Sequence, residues 1–254
     1  MADETVRICI DRVVPDEYNP ARAATFRGLS RRMANWDPNQ LIREKLALPV
    51  TKMWEDGVEL KCRFLDGSTK QKRKVEAKAH LWEQHTGITF TFVNTTDEEI
   101  RISFSADPGS WSALGTDALI ESYFPRYEPT MNYGWLEDDT EDAEYNRVVI
   151  HEFGHALGCI HEHQNPKGKL KWNKAEVYRV FSGPPNYWTR QQIDHNILRR
   201  YSMTNMNASA YDPDSIMLYH FPGSLFTDGV GTKQNNTLSA LDKSFIGEMY
   251  PKES

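Results

Sequence analysis

His151-Glu152-x-x-His155-x-x-Gly158-x-x-His161 is the stretch of this chain whose residue types and spacing can do chemistry. His151 and His155 are about one helical turn apart, so on a helix they stand one above the other on one face. Two imidazoles placed that way can hold one zinc ion at the usual Zn–N distance of about 2 Å. Glu152, beside the first histidine, is a candidate general base toward a water that such a metal activates. A straight helix cannot carry a third ligand to the same point. Gly158 removes that difficulty, because glycine enters the left-handed conformation that ends a helix. The chain can then turn back, and His161 can reach the ion. Three neutral nitrogens with a fourth position left for water form the pattern of a catalytic zinc rather than a structural one. A bare His-Glu-x-x-His also occurs in helices whose histidines merely pack. Five fixed positions, with a glycine where the geometry needs one, weigh against that reading here.

The elements that must position these residues are legible on both sides. Val149, Phe153, Ala156, Leu157 and Ile160 recur at helical spacing and anchor the motif helix in a core. The acidic run from Glu137 to Glu144 leads into that helix and suits the positive end of its dipole. Upstream, Val58, Leu60, Cys62 and Phe64 alternate with charged residues and end at Asp66-Gly67, which is a half-buried strand. A helix is expected over Lys72 to His85, stopped by Gly87, and two more strands over Ile88–Phe92 and Ile100–Phe104. Downstream the chain is loop-rich, with helices expected at 174–181 and 189–200. Ser239, with Asp242 three residues on, is a fair N-cap for a last helix whose buried face is Leu241, Phe245, Ile246 and Met249 and which Pro251 ends. At the N-terminus, Val6–Ile10 reads as a short strand and Ala21–Arg32 as a short helix. These elements predict an α+β fold.

Composition narrows the class. The 254 residues are 39% hydrophobic and 26% charged, with a net charge of −6. Nothing approaches the ~20 apolar residues of a membrane span, and no broad basic surface awaits nucleic acid. The cluster Lys70, Lys72, Arg73, Lys74 reads as a solvated helix start. The first residues lack a signal-peptide pattern. Cys9, Cys62 and Cys159 are too few and too odd in number for a disulfide framework. Together these favour a cytoplasmic location over a secreted one, and the sequons at Asn94, Asn207 and Asn235 do not decide it. Cys159 reads as a small buried hydrophobe. His80, His85, His163 and His195 read as packing or surface groups, and His220 as a residue near the site.

The motif at 151–161 resembles that of the metzincin zinc endopeptidases. Glu162, directly after the third histidine, is similar to the astacin branch; a matrixin more often has a small hydroxyl residue there, and a serralysin a proline. Tyr211 to Tyr219 (YDPDSIMLY) resembles the family's Met-turn. The resemblance places Met217 beneath the metal and makes Tyr219 a switchable fifth zinc ligand. It covers about residues 52–254 and implies a metzincin-type protease fold: a twisted mixed sheet with helices in an upper lobe, about 52–157, a cleft, and a smaller lower lobe, about 158–254. It also implies a cleft rim, assigned to 110–119, that pairs with an extended substrate, and a pocket shaped by about 220–228. The calcium repeats of serralysins are absent, as are the two disulfides usual in secreted astacins.

Residues 1–51 form an N-terminal extension, a brace or a pro-segment. No matrixin cysteine-switch sequence surrounds Cys9. No motif marks Asp11, Asp16 or Asp37 as the aspartate that keeps some astacins latent. A brace is therefore the favoured reading. In mature astacins the counterpart of Glu162 meets the new N-terminal amine, which leaves its partner here open.

The expected function is that of a zinc endopeptidase with Glu152 as base, Tyr219 as oxyanion donor and His151, His155 and His161 as ligands. It would act as a monomer on peptides or proteins, with no nucleic-acid or membrane partner. A matrixin-like protease without the tyrosine switch, or an inactive zinc-dependent peptide-binding module, is the alternative.

Overall fold

A computed structural model describes residues 8–12, 14, 48–49, 52–106, 109–184, 186–201, 206–207 and 210–252. The helix expected at 21–32, Val6, Asp16 and Asp37 lie outside these residues, and so does the side chain of Asp11.

The sheet is built before the motif helix begins. Its strands are β1 (Ile10–Arg12), β3 (Glu59–Phe64), β4 (Thr89–Phe92), β5 (Ile100–Ser103), β6 (Trp111–Ala113) and β7 (Met131–Asn132), in the spatial order β1-β6-β7-β5-β3-β4. Within this sheet β3 runs parallel to both neighbours, and among the described residues only its β6–β7 pairing is antiparallel. The expected alternation in β3 holds, with Leu60 and Cys62 fully buried. A two-residue ladder, β2 (Leu48–Pro49) with β8 (Met206–Asn207), is separate from this sheet.

The connection from β3 to β4 carries helix α1 (Thr69–Ala79). Its start is a reciprocal capping box: the Gln71 N–H donates to Ser68 Oγ at 3.0 Å and the Ser68 N–H to Gln71 Oε1 at 2.7 Å. The helix expected to reach His85 stops at Ala79, and a separate 3₁₀ turn covers Trp82–Gln84. Breaking the helix there lets the Trp82 indole donate to the Ile150 carbonyl at 2.9 Å.

That carbonyl belongs to helix α2 (Asp142–Ala156), which carries the motif and packs its apolar face on the sheet. The rings of Phe90 and Phe153 meet edge to face, their centroids 4.8 Å apart. Beyond α2 come α3 (Lys174–Phe181), α4 (Arg190–Ile193) running into a π-turn (Asp194–Leu198), and α5 (Ala240–Met249). α3 matches its expected span. The helix expected over 189–200 breaks into the α4 turn and the π-turn. One apolar core runs from the sheet through α2 to α5, and a smaller cluster gathers Val14, Trp111, Ala113, Ala118 and Phe124. Among the described residues, no helix is long and apolar enough to cross a membrane.

Candidate active site

α2 delivers His151 and His155 on one buried face, and its ending delivers His161. The helix closes in a Schellman arrangement. The Gly158 N–H bonds the His155 carbonyl at 2.8 Å and the Cys159 N–H bonds the Gly154 carbonyl at 2.9 Å. Gly158 has φ +97°, which the sequence reading required of it. Two further carbonyls at this end would be orphans. Ala156 accepts from the Trp54 indole at 2.7 Å and Leu157 from the Tyr250 hydroxyl at 2.8 Å. A turn tied down in this way holds His161 against the helix. His155 Nε2 lies 3.1 Å from His151 Nε2 and 2.9 Å from His161 Nε2. Two imidazole nitrogens on a tetrahedral zinc would stand about 3.3 Å apart. We therefore read these contacts as ligand-to-ligand spacings rather than hydrogen bonds.

The outer nitrogens fix the tautomers. Nδ1 of His151 faces the Ile216 carbonyl at 2.8 Å, and Nδ1 of His155 faces the Cys159 carbonyl at 2.7 Å. A carbonyl only accepts, so both Nδ1 atoms carry the proton and both Nε2 lone pairs are free for a metal. Burial, and then the His155 ring, push His151 and His161 well below the ordinary histidine pKa. The nearby Gln164 side chain works the other way on His161. Neutral, buried, convergent imidazoles are the donor set that zinc requires, so the residues fit the metal.

Met217 packs against the motif helix at Gly154. A Cβ on Gly154 would stand 2.4 Å from the Met217 sulfur, so a larger residue there would push the methionine aside. The turn that carries Met217 is held from α5. Asp242 accepts from Ser215 Oγ at 2.7 Å and from the Ile216 N–H at 2.9 Å. It also accepts from the Ser239 N–H at 2.9 Å, the capping bond foreseen from the sequence. The backbone of Ile216 thus links this carboxylate, through its N–H on one side and its C=O on the other, to the His151 ring.

Tyr219 Oη lies against His161 Nε2 and donates to the Cys9 carbonyl. The Cys9 thiol is buried, and the charge of Glu152 acts on it. Burial, and then the charge of Glu152, push the thiol well above its ordinary pKa. The next residues form β1, which pairs in parallel with β6, the strand within the rim assigned at 110–119. Arg12 stacks its guanidinium on the Trp111 ring at 3.8 Å. The Val14 N–H donates to Asp117 at 3.1 Å, and the same buried carboxylate pairs with Lys52. An N-terminal segment thus lies along the edge of β6 and reaches Tyr219.

With this geometry in hand, comparison with known proteins is specific. The matrixin peptidase family matches residues 53–169, which include all three histidines and Glu152. A solved structure of myroilysin is 42% identical, covers 82% of this chain and 100% of its own, and superposes with a TM-score of 0.78. The chain belongs to the metzincin zinc endopeptidases. A second myroilysin crystal structure is 38% identical, covers 86% of this metzincin and 98% of its own chain, and has a TM-score of 0.63. A hatching enzyme zinc-protease of the medaka fish Oryzias latipes, 19% identical over 80% of this chain and 96% of its own with a TM-score of 0.53, shares the fold. Matrix metalloproteinase-2 of Drosophila melanogaster is 25% identical over 113 residues, 39% of this chain. The match spans 15% of that relative's length.

The remaining candidates of this metzincin fall as follows. His163 is buried and bonds the Asn196 carbonyl through Nε2 at 2.9 Å, and burial pushes its pKa down to about 4. His195 sits beside Arg199, and His220 is exposed and bonds the Thr232 carbonyl. None of the three joins the convergent set. Cys159 is fully buried. Glu162 accepts from Asn165 Nδ2 at 2.9 Å and from the Asp212 N–H at 2.8 Å, and burial pushes its pKa up to about 8. Sequence reasoning missed Cys9, whose short alternating surroundings announce a strand but not its neighbour. It also read Asp242 only as a cap, not as the group that holds the Ile216 N–H.

Proposed function

We propose that this metzincin is an endopeptidase of the astacin-like kind, acting on peptide or protein substrates with Glu152 as base and Tyr219 as oxyanion donor. The observation that carries the reading is the convergence of three buried Nε2 atoms with the hydroxyl of Tyr219 against one of them, on the helix that also carries the buried Glu152. Zinc held by His151, His155 and His161 would supply Lewis-acid polarisation of the scissile carbonyl and of the attacking water. Glu152 takes the water's proton and later passes it to the leaving amine. Tyr219 aims its phenol O–H at the oxygen on which negative charge develops. Burial of this polar group of residues keeps bulk water from screening the charges.

We read residues 8–14 as a pro-segment rather than a brace. What supports this is that the Cys9 carbonyl holds the Tyr219 hydroxyl and the Cys9 thiol lies within the electrostatic reach of Glu152, while β1 covers the edge of β6. Those are the groups and the edge that a substrate would need.

A digest of casein and of a quenched peptide, with and without chelator and after removal of the N-terminal segment, tests the activity. Cleavage should stop on chelation. Glu152→Gln should keep its zinc and lose about 10²–10⁴-fold in rate. Normal turnover by that variant would remove Glu152 from the mechanism, and no cleavage by any preparation would favour a peptide-binding module. A matrixin-like enzyme without the tyrosine switch is the second reading, favoured by the family match over 53–169. The Tyr219→Phe variant separates the two.

A further inference from the structure

Trp111 opens β6, the strand that packs on the motif helix and pairs with β1 on the side away from β7. Its side chain is buried at a cost that packing does not explain. The indole N–H is buried and meets no hydrogen-bond partner among the described residues. A buried donor left unpaired lowers stability, and phenylalanine would offer an aromatic ring there without one. What tryptophan has beyond phenylalanine is the strongest aromatic face for a cation. A cation occupies that face. The Arg12 guanidinium lies 3.8 Å from the ring centroid.

The ring stands on a braced support. Phe124 stacks on it with centroids 6.2 Å apart and planes 17° apart, and Tyr123 meets Phe124 edge to face at 4.9 Å. The buried Arg101 of β5 ties this loop to the sheet: its Nη2 donates to the Phe124 carbonyl at 3.0 Å and its Nε to the Glu128 carbonyl at 2.6 Å. Arg12 itself is half-buried. Burial works against its charge, and Tyr123 and then Glu128 work for it.

The contact also has a fixed place relative to the site. The Cys9 carbonyl accepts from the Tyr219 hydroxyl, and Arg12 follows three residues farther along the same chain. An extended chain advances about 3.3 Å per residue, so the indole lies about 10 Å along the β6 edge from the group proposed to meet the oxyanion. A substrate strand can add to a free edge in either direction. Both directions bring a side chain about three residues from the scissile bond onto this ring.

We propose that Trp111 is a specificity residue of the peptidase: once the N-terminal segment has left the β6 edge, the indole face takes an arginine or lysine side chain of the substrate, about three residues from the scissile bond. Arg12 holds that place in the intact chain. The inference rests on the endopeptidase and pro-segment readings above, and it names a side-chain preference that they leave open.

The test uses the full-length protein, before and after limited proteolysis of its N-terminal segment. A randomised peptide library is digested and the cut sites are read by mass spectrometry. Wild type should enrich Arg and Lys, and deplete Asp and Glu, at one position about three residues from the cut. In a quenched peptide built on a cleaved sequence, Arg at that position should give a kcat/KM about 3- to 30-fold above Gln, the range of a cation over an aromatic face. Trp111→Leu should bring the two peptides within about two-fold of each other, and Trp111→Phe, which keeps a weaker face, should fall between. A tryptophan that only packed would lower the rate on both peptides alike and leave their ratio unchanged. A flat wild-type profile overturns the proposal, and so does an unchanged ratio in Trp111→Leu. Should Trp111→Leu not fold, Trp111→Phe decides alone, and an unchanged ratio there overturns the idea. Chelator-sensitive cleavage without the preference sinks the subsite and spares the peptidase reading. No cleavage of any library peptide sinks both.

Discussion

The Tyr219 hydroxyl donates to the backbone carbonyl of Cys9, a residue 210 positions earlier in the chain. That bond places the N-terminal segment on the group proposed to stabilise the transition state. Latency should therefore be a property of residues 8–14. The full-length protein should cleave a quenched peptide slowly, and limited proteolysis that removes the segment should raise the rate. Val14→Asp offers a test without proteolysis. Val14 is 2% exposed among Trp111, Ala113, Ala118 and Phe124, and its N–H already sits on Asp117. A second carboxylate there would be buried beside the first, and burying an uncompensated charge costs several kcal/mol. The intact variant should be more active than wild type. If trimming gives no gain and only lowers the melting temperature, the segment is a brace.

Gly154 and Met217 make a second, independent relationship. A Cβ at Gly154 would overlap the Met217 sulfur, with the Trp82 ring 3.1 Å behind. Overpacking of this kind costs about 1–3 kcal/mol. The better helix propensity of alanine returns about 0.5–1 kcal/mol. Gly154→Ala should thus lose about 1–2 kcal/mol by denaturant titration. Met217→Ala alone should lose about 2–5 kcal/mol through the cavity it leaves. The double variant should lose less than the sum, because each change relieves the other. Strict additivity would mean that the two residues do not compete for space.

The chemistry of the site was legible because local rules dictate it. Helical spacing stacked His151 over His155, and a glycine at the helix end brought back His161. Strand β3 and helix α3 followed their hydrophobic periods, and the Ser239–Asp242 cap held. What could not be read were pairings between distant residues of ordinary type. Nothing in the neighbourhood of Cys9 says that its carbonyl meets Tyr219, and nothing around Gln164 names the His195 carbonyl as its partner. The helix expected over 189–200 broke into a π-turn because its carbonyls serve the metal loop, a tertiary demand that a single-sequence period does not carry. Glu162 found its partners in Asn165 and the Asp212 N–H, the second of them fifty residues away.

Asp242 predicts a pH dependence of stability. Burial raises its pKa above the ordinary aspartate value of 3.8, against the pull of its three donors. The folded state therefore holds this proton to higher pH than the unfolded state does. The stability it contributes is fully present below the unfolded pKa and is lost as pH rises through the folded one. In Asp242→Asn the amide oxygen can keep the Ile216 and Ser239 N–H groups, which now share Oδ2. Its NH₂ can donate to Ser215 Oγ. Urea titrations of the metal-free proteins should then show wild type losing stability relative to Asp242→Asn as pH climbs from about 4. Parallel curves for the two proteins would show that Asp242 ionises alike in both states.

Tyr219 carries the prediction that separates the astacin-like reading from the matrixin-like one. Its ring is wedged among His151, His161, His163 and Phe221, with centroid distances of 4.4 to 5.7 Å, so Tyr219→Phe should keep the ring in place. Only the hydroxyl is removed. In the intact chain that hydroxyl holds the Cys9 carbonyl, so its loss should loosen the N-terminal segment and make trimming faster. In the trimmed enzyme the same hydroxyl should serve the developing oxyanion. A donor used only at that stage raises kcat more than it tightens substrate binding. Losing one such donor typically costs about 2.7–4 kcal/mol, or 10²–10³-fold in kcat. Trimmed Tyr219→Phe should thus show unchanged zinc content, a similar KM and a kcat lower by at least about 10-fold. A tyrosine that only packs would leave kcat near normal while the intact chain still opened faster. The two outcomes part on one comparison: steady-state kinetics of trimmed wild type beside trimmed Tyr219→Phe on a single quenched peptide, where equal kcat values would assign the hydroxyl to the latch alone.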